Sequence, residues 1–189
     1  MRYKRLWWHL SAVTALAAGV VICSPYGHQR HLPYKGVAYT VEIQAPVDSV
    51  FRYLGHSERV GEWSVFVKGI RLLNGDQVAD GAVGCKRQPY NEEKGVVWDE
   101  TITQVALDSL RQLTTENFHG FAMTANGLAT EQRYTAISPG RTRLTFTLFF
   151  LNGRPSFYEE CKMYVAAFRV KNIYRRNLEN IRRNLEAAR

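Results

Sequence analysis

From residue 37 to residue 151 the chain alternates apolar and polar positions in one short segment after another, and from Ser156 onward the spacing switches to three and four. Consecutive strands with no long helix between them build a largely antiparallel sheet. The closing stripe, Met163, Ala167, Val170, Tyr174, Leu178, Ile181 and Leu185, marks an amphipathic helix of about 28 residues. Such a helix has one apolar face to bury, and only the sheet is available to bury it against. Ser156 stands where an N-cap belongs, Glu159 and Glu160 follow in the first turn and arginines crowd the last turns, as the helix dipole prefers.

The first strand pattern, 37–45, sets Tyr39, Val41 and Ile43 on one face and stops at Ala45-Pro46. Val47, Val50, Phe51 and Leu54 then repeat at helical spacing, with Pro46 and Asp48 in the opening turn and Gly55 as the stop. Residues 56–63 read as a second short helix or turn. Strand patterns follow at 65–73, 82–88, 95–105, 109–116, 128–137 and 141–151. Asn74-Gly75 closes the first of these, Pro139-Gly140 joins the last two, and Asn152-Gly153 with Pro155 ends the sheet.

With 189 residues, 46% of them hydrophobic and 22% charged, the chain suffices for one globular domain and a short extension. The extension is N-terminal. Met-Arg-Tyr-Lys-Arg precedes Leu6 to Cys23, 18 positions free of Asp, Glu, Lys and Arg. Basic residues before an apolar run keep that end in the cytoplasm, so residues 1–23 read as a signal anchor or signal peptide and the body as extracytoplasmic. Ala15-Leu16-Ala17 offers a cleavage pattern that would release the domain. The apolar run past it through Val20, Val21 and Ile22, with Trp7 and Trp8 at the interface, suits an uncleaved anchor, while bulky Ile22 disfavours lipidation at Cys23. Residues 24–36, with Pro25, Gly27, Pro33 and Gly36, read as a linker to a domain spanning 37–189.

The net charge of +8 splits into +5 in residues 1–35, +5 in residues 169–189 and −2 in the body between. A near-neutral body with basic ends lacks the continuous phosphate-tracking groove of a nucleic-acid binder, and no nucleic-acid reader motif is present. The arginines late in the helix suit either a solvated face or contact with anionic lipid heads. His28 and His31 have no carboxylate or cysteine near them in sequence to complete a metal site. Cys85 and Cys161 are either a pair in an oxidising compartment or two free thiols. Nucleophile elbows, phosphate loops and zinc-protease signatures are absent, so the sequence implies neither a cofactor nor a metal.

The stretch Val41-Glu-Ile-Gln-Ala-Pro-Val-Asp-Ser-Val-Phe-Arg-Tyr-Leu54, followed by Glu62-Trp63 and the long closing helix, resembles the START-like (Bet v 1-like, SRPBCC) superfamily, which includes bacterial polyketide cyclase/dehydrase and lipid-transport proteins. The resemblance covers residues 37–188. It implies an α+β helix-grip fold: a curved antiparallel sheet of about six to seven strands wrapped around the C-terminal helix, with two short helices after the first strand. It also implies an apolar cavity between sheet and helix for a hydrophobic small molecule or lipid.

On that basis the candidate ligand contacts are Trp63, Phe66, Arg87, Trp98, Glu100, Ile102, Arg133, Tyr134, Phe146, Leu148, Met163 and Ala167. Val96, Trp98, Glu100 and Ile102 share one phase of their strand, as do Leu144, Phe146, Leu148 and Phe150 of theirs. Glu100, between two apolar inward residues, needs a partner, and Arg87, His119, Glu131 and Arg133 are within reach from neighbouring strands. The expected role is extracytoplasmic, membrane-tethered binding or transport of a hydrophobic ligand. A cyclase/aromatase-like enzyme in which Glu100, Arg87 or Tyr134 moves protons is the alternative, disfavoured because export separates it from acyl-carrier substrates. An interaction domain with its cavity filled by aromatics is the third reading.

Overall fold

The computed structural model describes residues 14–15, 18–30, 32–151 and 154–187. Its elements are β1 (Gly27–His28), β2 (Lys35–Ile43), α1 (Val47–Tyr53), α2 (Val60–Trp63), β3 (Gly69–Leu72), β4 (Lys86–Asn91), β5 (Val96–Ala106), β6 (Leu110–His119), β7 (Leu128–Ser138), β8 (Arg141–Phe150) and α3 (Phe157–Ala187). The eight strands form one antiparallel sheet in the order β1-β2-β8-β7-β6-β5-β4-β3. Strands β3 to β8 meander, and β2 returns from the start of the chain to pair with β8. The 31-residue α3 packs on one face of the sheet.

Eight strands replace the expected six to seven, and local chemistry explains the difference. The two residues of β1 pair with the start of β2, where the Gln29 side chain donates to the carbonyls of Gly27 (3.0 Å) and Gly36 (2.8 Å). Gly27, His28 and Gln29, in the stretch read as a linker, are therefore packed against the body. Strand β3 is shorter than the 65–73 pattern because Ser64 Oγ accepts the amides of Phe66 and Val67, and the Val65 amide goes to Asn177 on α3. Those amides are lost to the sheet. The second short helix is a 3-10 turn, Ser57–Arg59, running into the single turn of α2, with the Asp80 carboxylate accepting from the Ser57 amide and hydroxyl.

Two clusters of buried side chains join sheet and helix. One gathers Val41, Ile43, Val50, Phe51, Leu144 and Phe146 against Leu178 and Ile181 in the C-terminal half of α3. The other sets Tyr26, Val37 and Phe150 against Met163 and Ala167 in its N-terminal half. A smaller cluster of Cys85, Ile102 and Leu113 lies where β5 and β6 meet the β3–β4 connection. Cys85 and Cys161 are both free, one buried and one exposed.

Of the apolar leader only residues 14–15 and 18–23 are described, and these are helical. Among the described residues no helix is long and apolar enough to cross a membrane. The rest of the leader, His31 and the Asn152-Gly153 turn lie outside the described residues.

Candidate functional site

Between the concave face of the sheet and the first half of α3 lies a cavity of about 520 Å³. Strand phase builds its walls: Trp98 and Glu100 on β5, Leu113 and Thr115 on β6, Leu128, Thr130 and Gln132 on β7, and Phe146 and Leu148 on β8 all point to one side. Met163, Val170, Ile173 and Tyr174 close it from α3. Lining residues that are also exposed, Ala122, Met123, Thr124, Val165 and Arg169, place the mouth between the β6–β7 loop and the helix. Four aromatic rings stand beside it: Phe66 and Phe121 flank Trp98 at centroid distances of 6.0 and 5.6 Å, and Phe118 meets Phe121 edge-on at 5.5 Å. Offset and edge-to-face contacts of this kind hold aromatic side chains in fixed orientations.

Within these apolar walls sits one ion pair. Arg87 and Glu100 face each other across β4 and β5, and Arg87 Nε donates to Glu100 Oε2 at 2.8 Å, with the side chains only 9% and 14% exposed. Trp98 Nε1 donates to the other carboxylate oxygen at 3.0 Å, so both Glu100 oxygens are engaged. Arg87 uses only Nε in this way. Its two terminal nitrogens have no hydrogen-bond acceptor among the described residues. Among the other polar groups in the wall, the Thr130 and Tyr174 hydroxyls meet at 3.2 Å, Thr115 Oγ1 donates to the Leu128 carbonyl and Gln132 Oε1 accepts from Tyr134, while the buried Trp63 Nε1 has no hydrogen-bond partner among the described residues. Burial pushes the Tyr174 hydroxyl well above the usual phenol range, which keeps it neutral.

Eight of the twelve sequence candidates line the cavity: Trp63, Phe66, Arg87, Trp98, Glu100, Phe146, Leu148 and Met163. Four lie elsewhere. Ile102 has the inward phase but packs on Cys85 and Leu113 beneath the β3–β4 connection. Arg133 has the opposite phase from Gln132 and Tyr134, and forks onto Glu131 through two bonds of 2.9 and 3.1 Å. Tyr134 points inward at the filled end, where its ring meets Phe51 at 5.0 Å and Arg111 donates to its hydroxyl. Ala167 turns toward Tyr26 and Val37. Of the possible partners for Glu100, Arg87 is the one that bonds it, while Glu131 is taken by Arg133 and His119 is exposed.

Sequence reasoning missed Phe118 and Phe121, along with Thr115, Thr130 and Gln132. The run Phe118 to Met123 did carry a signal, because a strand connection with two phenylalanines and a methionine is too apolar for an ordinary solvated loop. Nothing local marks the threonines and the glutamine.

Residues 35–186 match the family described as polyketide cyclase / dehydrase and lipid transport. Among solved structures, the Zhui aromatase/cyclase from Streptomyces is 16% identical at a TM-score of 0.59, the match covering 80% of this chain and 93% of that one. A START superfamily protein from Mycobacterium smegmatis is 17% identical at a TM-score of 0.56, over 81% and 95% of the two chains. A protein from Nitrosospira multiformis is 12% identical at a TM-score of 0.62, over 82% and 99%. Likeness at this identity speaks to fold alone. No curated protein matches the chain. The family match spans β2 through nearly all of α3, the elements that enclose the cavity, and the chain belongs to the polyketide cyclase/dehydrase and lipid transport family.

Proposed function

We propose that this protein binds or carries a hydrophobic small molecule or lipid inside the cavity, in a body tethered to the extracytoplasmic side of a membrane by residues 6–23. The observation that carries the binding role is the 520 Å³ space with its largely apolar lining. Ligand pockets of small molecules fall in this size range and pair apolar walls with a few placed polar groups. Here the placed group is Arg87, oriented by Glu100 and left with donors to spare, which suits a carbonyl, hydroxyl or carboxylate oxygen on an otherwise apolar ligand. The tether rests on the basic residues that precede the apolar leader.

Native mass spectrometry of the full chain purified from membranes, with extraction and identification of the bound compound, tests this reading. A stoichiometric apolar ligand, lost in a Val170→Trp variant that fills the cavity, is the expected outcome. A chain that arrives empty and takes up no lipid or aromatic polyketide from a panel would sink it.

A second reading, cyclase-type chemistry, draws support from family membership and from a carboxylate held at the cavity wall. It requires that a linear poly-keto compound lose water in the presence of the protein and that Glu100→Gln abolish the reaction. Both oxygens of Glu100 are already bonded, and this favours a positioning role for it over proton transfer.

A further inference from the structure

The leader ends against α3. Ser24 Oγ donates to the Tyr164 carbonyl at 2.7 Å, the Tyr26 ring stands edge-on to Tyr164 at 5.2 Å, and Cys23 and Pro25 share a groove with Phe168, Lys171 and Arg175. Side chains three and four apart are neighbours on a helix, so Val165 adjoins Phe168 on one side and Arg169 on the other. Val165 and Arg169 also line the cavity mouth. The end of the leader and the mouth of the cavity therefore flank a single strip of helix.

That strip is apolar and exposed, with Tyr158 at 71%, Val165 at 54% and Phe168 at 48%. It is also cationic. From Phe157 to Arg176 the helix carries five lysines and arginines against two acids. Both acids are engaged away from it: Glu159 accepts from Asn126 and Ser156, and Glu160 pairs with Lys35 at 2.6 Å. Exposed aromatic and aliphatic side chains among cations suit the boundary between headgroups and acyl chains of an anionic bilayer. A soluble body gains nothing from leaving them in water.

We infer that the leader holds the body with its cavity mouth against an anionic lipid surface, so that an apolar ligand passes between bilayer and cavity without crossing water. This rests on the proposed insertion of the leader. Two of these helix cations border the mouth, Arg169 over the Phe66 ring at 5.8 Å and Lys162 donating to the Thr124 carbonyl, and Lys94 adds one from outside the helix, over the same ring at 4.7 Å. The β5–β6 turn, with Leu107 at its tip, sits at the opposite end of β6 from the mouth loop and faces away from the lipid.

The full chain reconstituted in phosphatidylcholine vesicles containing phosphatidylglycerol tests this. Cys23 and Cys161 are replaced by serine, buried Cys85 stays, and an environment-sensitive fluorophore is attached at either Val165→Cys or Leu107→Cys. Flotation in alkaline carbonate reads leader insertion separately. The expected result is a chain that floats, with the label at position 165 quenched several-fold more by spin-labelled lipid than the label at 107. Equal, weak quenching at both positions in a floating chain overturns the inference and leaves the leader reading intact. A chain that does not float removes both. Shielding at position 165 without lipid quenching, together with a doubled mass, assigns the strip to a second copy of the chain and overturns it as well.

Discussion

The two halves of α3 face the same sheet and meet it in opposite ways. In the C-terminal half Leu178 and Ile181 are completely buried against Val50, Phe51, Tyr53 and Leu54 from α1 and its cap, and the space between helix and sheet is full. From Met163 and Val170 in the N-terminal half to Ile173 and Tyr174 just past the midpoint, the helix looks across a void toward Trp98, Phe146 and Leu148. The short α1 makes the difference, because it wedges four large side chains beneath one end of the long helix and has no counterpart at the other. Protein interiors pack like organic crystals, and an unfilled space of this size forgoes many dispersion contacts. One end secures the fold, and the other holds open a space that a ligand can fill.

The sharpest way to break that contrast is to cut the same kind of side chain at both ends. Ile181→Ala should cost about 4 kcal/mol of stability, within the range for large-to-small changes in a tight core. Val170→Ala, at a wall that already borders empty space, should cost less than about 1 kcal/mol by the same reasoning. Equilibrium urea unfolding of the two variants checks both, and equal losses would mean that the cavity end is as tightly packed as the core.

The ion pair comes next. Glu100→Leu leaves the Arg87 guanidinium buried without its counter-charge and Trp98 Nε1 without an acceptor, at a cost of about 3 kcal/mol. Adding Arg87→Met should recover most of that loss while abolishing ligand uptake, an outcome readable by combining denaturation with native mass spectrometry. Recovery of stability with unchanged uptake would remove Arg87 from ligand recognition. Filling the void instead, Val170→Trp should shift stability by less than about 1 kcal/mol in either direction because the ring has room to enter. It should still eliminate binding.

The smallest effect concerns the strap that joins the leader to α3. Burial, helped by the nearby Glu160 carboxylate, pushes the Tyr26 hydroxyl up to about 12. A phenol whose folded value lies above its unfolded one, about 10, contributes stability that is fully present below the unfolded value. That stability is lost as pH rises through the folded value. Stability should therefore decline between about pH 10 and 12, and Tyr26→Phe should flatten that part of the profile. An unchanged slope in the variant would assign the alkaline loss to other groups.

Much of the fold was legible because it is local. Alternation placed β5 to β8 within a few residues of where they form, and helical spacing found α3 from one end to the other. The phase of β5 also put Trp98 and Glu100 on the cavity side. What escaped was non-local. β1 exists because it pairs with Lys35 and Gly36 of β2 and the Gln29 side chain donates to the carbonyls of both Gly27 and Gly36, and no alternation is visible in two residues. Arg133 stands one residue out of phase with Gln132 and Tyr134, which in a strand is the whole difference between cavity and outer face. Tyr134 and Ile102 had the correct phase and still fell outside the cavity, one under α1 and one under the β3–β4 connection.

By itself the sequence determined the antiparallel sheet, the single long helix, the family resemblance and the side of β5 and β8 that turns inward, since these follow from periodicity and turn chemistry within a few residues. Only the tertiary structure decided which inward residues fill space and which enclose it, and that the leader's end and the cavity mouth share one strip of α3. A cavity is the gap between two surfaces. Its place depends on the sheet's curvature and on where the helix crosses it, and no residue carries that information in its own neighbourhood.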